Sequence, residues 1–201
     1  QENYDEKINS IVIMGSGEPL ANYDNVIKFI KLCHESYTLN LSYRSIALST
    51  AGLVPLIDKL ADEELPITLS ISLHASNDNI RNSLMPINIH YNLSDILEAS
   101  KRYISKTNRR ITYEYILIKD LNDQIIHAKE LALLLKGILS NVNLIPINPV
   151  IEKGYKRPDN RQIKLFVETL QKNHINVTMR KEMGVDIQAA CGQLRNKHIK
   201  K

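Results

Sequence analysis

Short apolar runs alternate with longer segments of helical period along most of this chain. The apolar runs are rich in Ile, Val, Leu and Tyr, as buried strands are, and they predict strands at 10–14, 45–49, 67–73, 111–118, 142–147 and 176–180. Between the strands, apolar residues recur at helical spacing, which predicts helices at 25–35, 53–60, 93–104, 128–139 and 160–172. Asn122 and Asp123 are expected to cap the fourth of these helices.

Strict alternation of strand and helix predicts a parallel sheet with right-handed crossovers. The order of the predicted strands and helices along the chain shows no internal switch. This favours an α/β fold built as a partial (β/α) barrel of about six parallel strands. A doubly wound open sheet is the alternative. The sequence contains no repeats, low-complexity stretches or obvious linker, so residues 1–201 are expected to form a single domain. The chain opens with Gln1 and no initiator methionine, which suggests a fragment of a longer protein.

Composition and charge indicate which classes of protein and partner are compatible with this chain. The chain has 43% hydrophobic and 24% charged residues, as globular proteins do. The net charge of +4 permits an RNA partner but is shared by many small enzymes. Two cysteines cannot form a disulfide framework, which favours a reducing, cytoplasmic location. No apolar run reaches the length of a membrane span and no secretory signal is visible, so we expect no membrane partner.

Polar residues follow the predicted strands at the end where β/α barrels carry their active sites. Gly17 and Glu18 come after the first strand. Glycine lets the backbone approach a ligand, and a carboxylate suits the ammonium group of an amino acid, although a plain turn before a helix is the alternative. The other strand ends contribute the candidates Ser49, Ser72, Leu73, His74 and Asn148. Together they suit a polar small-molecule cofactor.

A lone cysteine, Cys191, lies among Ala and Gly after the last apolar run. A bulky reactant has access to a thiol in such surroundings, so Cys191 is a candidate nucleophile, with a tolerated free thiol as the alternative. Cys33, in contrast, lies on a helix face and is expected in the core. No CxxC, HExxH or carboxylate cluster has the spacing of a metal site, so no metal ligands are predicted within this chain.

Five segments together resemble the RlmN/Cfr family of radical S-adenosylmethionine (SAM) RNA methyltransferases. They are GSGEPLANYDNV (15–26), SISLHASND (70–78), LMPIN (84–88), NLIPINP (143–149) and GVDIQAACGQL (184–194). The resemblance extends over nearly the whole chain, and the last segment is the most specific. It implies a radical SAM-type barrel.

The resemblance also implies roles for the candidate residues. Gly17 and Glu18 would hold the methionine end of SAM, and the rest of the cofactor pocket would be lined by Ser49, Ser72, Leu73, His74 and Asn148. Cys191 would be methylated by one SAM. A radical derived from a second SAM would then take hydrogen from that S-methyl group, and the resulting carbon radical would add to carbon 2 of an adenine.

Pro19 and Glu114 match the RlmN-like branch, whose substrates are adenines in large-subunit ribosomal RNA and in tRNA. The CxxxCxxC loop that binds the family's 4Fe–4S cluster is absent, as are the second catalytic cysteine and the N-terminal RNA-binding region. The parent protein is therefore expected to be the enzyme, and this chain alone is expected to be inactive. The alternatives are Cfr-like methylation of adenine carbon 8, a non-catalytic RNA-binding domain, and a different barrel enzyme in which His74 serves Cys191 as a base.

Overall fold

The computed structural model describes residues 7–15, 17–148 and 153–180. Strands and helices alternate, except that two helices follow the third strand, and some of the connections contain a short turn of 3₁₀ helix. The strands are β1 (Ile11–Ile13), β2 (Ile46–Thr50), β3 (Thr68–Ser72), β4 (Ile111–Leu117), β5 (Ser140–Pro146) and β6 (Val177–Met179). The helices are α1 (Tyr23–His34), α2 (Val54–Asp62), α3 (Asp78–Leu84), α4 (Leu93–Thr107), α5 (Ile125–Leu135) and α6 (Asn160–Lys172).

All six strands form one parallel sheet in the order β1-β2-β3-β4-β5-β6. Because each crossover is to the next strand and such crossovers are right-handed, successive helices lie on the same face of the sheet. The strand order excludes the doubly wound alternative, in which the order reverses at a switch point. The predicted partial (β/α) barrel is thus confirmed.

The core lies between the sheet and this helical layer. Alternate strand residues contribute fully buried side chains to it, among them Leu48 of β2, Ile71 of β3 and Tyr113 of β4. Helical residues such as Phe166 of α6 belong to the same apolar cluster. Cys33 on α1 is also a member, which confirms its predicted core position.

Five of the six helices were expected from apolar periodicity, and α3 was not. The reason is visible in its packing, because the buried residue of this short helix is the charged Arg81. A helix that buries a guanidinium carries no apolar stripe for sequence analysis to detect.

Helix α5 corrects one detail of the sequence analysis. It runs over Ile125–Leu135 with Gln124 as its N-cap, not over 128–139 with a cap from Asn122 and Asp123. Asn122 is fully buried, and its side chain bonds instead to the main chain around the ends of β3 and β4. Asp123 accepts a hydrogen bond from the Asp120 N–H at 3.0 Å.

Candidate functional site

The predicted cofactor residues lie at the carboxyl ends of the strands. Ser49 and Ser72 are in the last two positions of β2 and β3. Gly17 and Glu18 follow β1, His74 follows β3, and Asn148 follows β5. Since the strands are parallel, their carboxyl ends meet at one edge of the sheet, which is where ligands bind in folds of this kind.

Glu18 joins the end of β1 to the end of β2. Its Oε1 accepts a hydrogen bond from the Leu20 N–H at 3.0 Å, which caps the following 3₁₀ turn. Its Oε2 accepts from the Ala51 N–H at 2.6 Å. The side chain is half-buried, so the carboxylate is fixed in place while part of the residue still faces solvent.

Gly17 provides the backbone conformation that leads from β1 into Glu18. Its φ is +99°, in the region that favours glycine, and a Cβ at this position would meet no atom within 4 Å. The requirement for glycine here is therefore one of backbone conformation, not of space.

The two serines share one face of the sheet. Ser49 pairs in register with Ser70, and Ser72 with Glu114. Side chains alternate between the faces along a strand, so Ser49 and Ser72 point away from the buried Leu48, Leu69 and Ile71. Both serines are half-buried. Leu73 lies on the opposite face, fully buried in the core, and its N–H donates to the Glu114 carbonyl at 3.0 Å.

His74 is held in an unusual backbone conformation for a residue other than glycine, with φ of 59°. Its N–H donates to the Glu114 carbonyl at 3.1 Å, and its Nδ1 accepts from the Ile116 N–H at 3.2 Å. Burial, together with the positive charge of Arg81, lowers the pKa of His74 to about 4, although a hydrogen bond with the Glu114 main chain acts in the opposite direction. The imidazole is thus neutral at pH 7, and with Nδ1 acting as acceptor its proton is on Nε2.

The side chain of Asn122 holds the main chain at His74 in place. Its Nδ2 donates to the His74 carbonyl at 2.8 Å and to the Ile116 carbonyl at 2.6 Å. Its Oδ1 accepts from the Ile118 N–H at 2.8 Å. The turn after β3 is therefore tied to β4 by a fully buried amide.

A row of polar residues that sequence analysis did not assign to the site continues across the same face as the two serines. We call this face of the sheet the polar face. It consists of the two serines, Ser49 and Ser72, together with Ser70, Thr112, Glu114, Asn141, Asn143 and Thr178. Asn143 Nδ2 donates to Glu114 Oε2 at 2.7 Å, and Asn141 Nδ2 donates to Thr178 Oγ1 at 3.0 Å. The signal was the period-two alternation in ITYEYIL and SNVNLIP, which indicates strands with one polar face.

Glu114 is buried within this row. Burial raises the pKa of its carboxyl group, while the hydrogen bond from Asn143, the charge of Arg180 and a hydrogen bond with Ser70 lower it in part. The buried carboxyl group of Glu114 is thus stabilised by its neighbours on the polar face.

Asn148 and Cys191 are the remaining predicted site residues. Asn148 is half-buried just beyond β5, at the expected edge, with β4 lying between β5 and β3. Cys191, the predicted catalytic residue, lies outside the described residues.

Among residues 7–15, 17–148 and 153–180, no group of three or more His, Cys, Asp or Glu side chains is arranged to hold a metal ion. Within the same ranges, no helix is both long and apolar enough to span a membrane.

Comparison with known proteins identifies the family. The radical SAM superfamily profile matches residues 2–132. A curated relative from Clostridium tetani, described as a probable dual-specificity RNA methyltransferase RlmN, is 54% identical over 200 residues. That alignment covers 100% of this chain and 57% of the relative, so the chain spans little more than half the length of the relative it matches.

Solved structures agree with the sequence comparison. A radical SAM methyltransferase from Sphaerobacter thermophilus superposes with a TM-score of 0.91 at 43% identity, covering 96% of this chain and 56% of that one. A domain of a pyruvate-formate lyase-activating enzyme from Bacteroides vulgatus superposes with a TM-score of 0.65 at 16% identity, covering 87% of this chain and 100% of that one. The second likeness shows the fold alone. The chain therefore belongs to the radical SAM superfamily, and its sequence is RlmN-like over its whole length.

Proposed function

We propose that this chain is the SAM-binding part of a radical SAM RNA methyltransferase that acts on adenine. The observation that carries the proposal is the arrangement of Glu18, Ser49, Ser72 and His74 at one sheet edge of a radical SAM superfamily scaffold. Hydrogen bonds fix the side chains of Glu18 and His74 there. The similarity to probable dual-specificity RNA methyltransferases supports RNA as the substrate.

The residues present fit a zwitterionic nucleoside ligand. Glu18 offers a fixed carboxylate to an ammonium group, which is a charge-assisted contact. Ser49 and Ser72 offer hydroxyl groups on the polar face, and Asn148 offers an amide at the same edge. His74 offers a neutral Nε2–H donor. One SAM would supply the methyl group, and a second SAM bound beside a reduced 4Fe–4S cluster would supply the adenosyl radical.

The cluster requires ligands from outside this chain. Radical SAM clusters are held by three thiolates from one loop, and the two cysteines here, Cys33 and Cys191, are far apart in sequence. Cys33 is also buried in the core. We infer that the complete enzyme contributes the cluster loop from a different segment.

Cys191 is the proposed methyl carrier. Its Sγ would take the methyl group of one SAM, which leaves as S-adenosylhomocysteine, and the S-methyl group would then give a hydrogen atom to the 5′-deoxyadenosyl radical of a second SAM. The resulting carbon radical would add to carbon 2 of an adenine, and the adduct would lose one electron to the cluster and the C2 hydrogen as a proton. The second catalytic cysteine, which this chain lacks, would then break the C–S bond by forming a disulfide with Cys191. Radical addition suits this target because an aromatic carbon is a poor nucleophile for ordinary methyl transfer. Because the target base must leave its stack to reach the thiol, at a cost of roughly a few kcal/mol, accessible ribosomal RNA or tRNA is the preferred substrate, in the cytoplasm.

A chimera tests the proposal. This chain replaces the equivalent 200 residues of the Clostridium tetani relative, and the reconstituted protein is incubated anaerobically with SAM and an RNA transcript. Mass spectrometry of the digested nucleosides should detect 2-methyladenosine. Cys191→Ala should abolish the product while SAM binding is retained, and Cys33→Ala, the matched loss of a core thiol, should leave the product present.

The other outcomes distinguish the alternatives. Formation of 8-methyladenosine would assign the chain to the Cfr-like branch. Salt-dependent RNA binding without any methylated product would favour a binding module. Methylation at the original rate by Cys191→Ala would overturn the methyl-carrier role.

A further inference from the structure

Arg81 is a buried arginine whose guanidinium is fully hydrogen-bonded. It lies on α3 with no exposed surface. A guanidinium has five N–H donors in a fixed fork, and each of them has an acceptor here. Nε donates to the Leu73 carbonyl at 3.2 Å, while Nη2 donates to the carbonyls of Ala51 at 2.9 Å and Ser72 at 3.2 Å.

These three carbonyls lie where β2 and β3 end, next to the candidate cofactor residues. Ala51 also connects to β1, because its N–H donates to Glu18 Oε2 at 2.6 Å. One continuous set of hydrogen bonds therefore runs from Glu18 through Ala51 and Arg81 to Ser72 and Leu73. It links the ends of three neighbouring strands.

The other side of the guanidinium is anchored in the segment that follows α3. Nη1 donates to Asn88 Oδ1 at 2.7 Å and to the Tyr91 carbonyl at 3.2 Å. Asn88 is itself held, since its Nδ2 donates to Asp78 Oδ1 at 3.0 Å. The same Asp78 oxygen accepts from the Leu93 N–H at 3.0 Å, which fixes the anchor to the start of α4.

Burial makes this arrangement costly for a charged group. It lowers the pKa of Arg81 to about 10, partly offset by the negative charge of Asp78, so the side chain stays protonated at pH 7. A buried charge is retained only where many well-placed acceptors compensate for its desolvation. Here those acceptors include main-chain carbonyls of the candidate site. A leucine in place of Arg81 would supply apolar packing but no hydrogen-bond donors for these carbonyls.

We propose that Arg81 is a positioning residue for cofactor binding, which sets the relative positions of the strand ends carrying Glu18, Ser49, Ser72 and His74. The proposal rests on the function proposed above for that edge. Arg81 has no exposed surface, so it acts through the carbonyls it holds and not by touching the cofactor.

Arg81→Lys tests geometry separately from charge. Lysine keeps the positive charge but has three donors on a single nitrogen, without the planar fork, so it cannot serve all three strand-end carbonyls and the Asn88 anchor together. Asn88→Ala is a milder second variant, because it removes one acceptor and leaves the guanidinium in place. Arg102→Lys, on the exposed surface of α4, is the matched control.

Amide hydrogen exchange on the full 201-residue chain measures positioning without requiring any ligand. In Arg81→Lys, exchange should accelerate about tenfold or more at Ala51, Gly52, Leu73 and His74, because buried acceptors lose their donors. Exchange in β5 and α6 should stay unchanged. Asn88→Ala should show a smaller acceleration of exchange at the same amides. If Arg81→Lys does not fold, the exchange pattern of Asn88→Ala tests the positioning role.

Cofactor affinity is the second readout, obtained by titrating SAM into the same proteins. Arg81→Lys should weaken SAM binding about tenfold while Arg102→Lys leaves it unchanged. Uniform acceleration of exchange across all strands, or no acceleration at the four amides, would overturn the positioning role. If the unmodified chain does not bind SAM, the proposed function fails, and the exchange pattern still decides whether Arg81 positions the strand ends.

Discussion

The two faces of the sheet differ in what they offer, although the same strands build both. On β2, Leu48 is completely buried under the helices while its neighbour Ser49 is half-buried on the polar face. On β4, Tyr113 and Tyr115 face the helical layer, and Glu114 between them bonds to Asn143 on the polar face. Period-two alternation therefore separates the core from the candidate site at the level of single residues.

The two faces of the sheet contribute differently to the free energy of folding. The helix-covered face removes large apolar side chains from water, which is the dominant favourable contribution to folding. The polar face gains hydrogen bonds whose net contribution is about 1 kcal/mol each. Stability should therefore depend mainly on one face, and ligand binding on the other.

Truncation of adjacent residues on β2 should show the largest contrast. Leu48→Ala should lower the free energy of unfolding by about 2–5 kcal/mol, because it leaves a cavity in the core. Ser49→Ala should change it by no more than about 0.5 kcal/mol. Urea denaturation followed by circular dichroism measures both, and equal destabilisation by the two variants would contradict the division between the faces.

His74 should make stability depend on pH at the edge of the polar face. Its pKa is lowered to about 4 from an unfolded value of about 6.5, so between these values the unfolded chain binds more protons than the folded one. Stability should therefore fall as pH decreases through this window, with a contribution from His74 of about 2 kcal/mol between pH 7 and pH 5.

Urea denaturation at the two pH values checks this expectation. His74→Gln should lose that part of the pH dependence, whereas the same substitution at the exposed His90 should keep it. An unchanged slope in His74→Gln would show that the imidazole is not held neutral by its surroundings.

A small effect is also expected on the outer surface of the helical layer. Arg102 Nε donates to Asp58 Oδ1 at 2.8 Å between α4 and α2, with both side chains well exposed. Exposed ion pairs contribute about 0–1 kcal/mol, so Arg102→Gln should destabilise the chain by less than either Leu48→Ala or the His74 effect. A loss above about 2 kcal/mol, measured in 150 mM salt, would contradict this ranking.

Sequence analysis predicted the order and type of the strands because apolar runs and turn residues are local signals. It also placed Glu18, Ser49, Ser72 and His74 at one edge, since parallel strands bring their carboxyl ends together. It did not find α3 or the role of Arg81, because a helix that buries an arginine looks like a surface segment. Asn122 was misjudged as a helix cap because its side chain bonds to the main chain of Ile116 and Ile118 at the end of β4 and to the carbonyl of His74 just after β3. Only the fold brings His74 to the end of β4.

The central claim is that SAM binds at the carboxyl edge of β1, β2 and β3. The most direct test is a titration of the ¹⁵N-labelled chain with SAM, followed by amide chemical shifts. Saturable shifts are expected at Gly17, Ala51 and His74, and none at Gly137 or Asn176, which line a cavity at the opposite edge. Shifts confined to that opposite edge, or no saturable shift at millimolar SAM, would contradict the central claim.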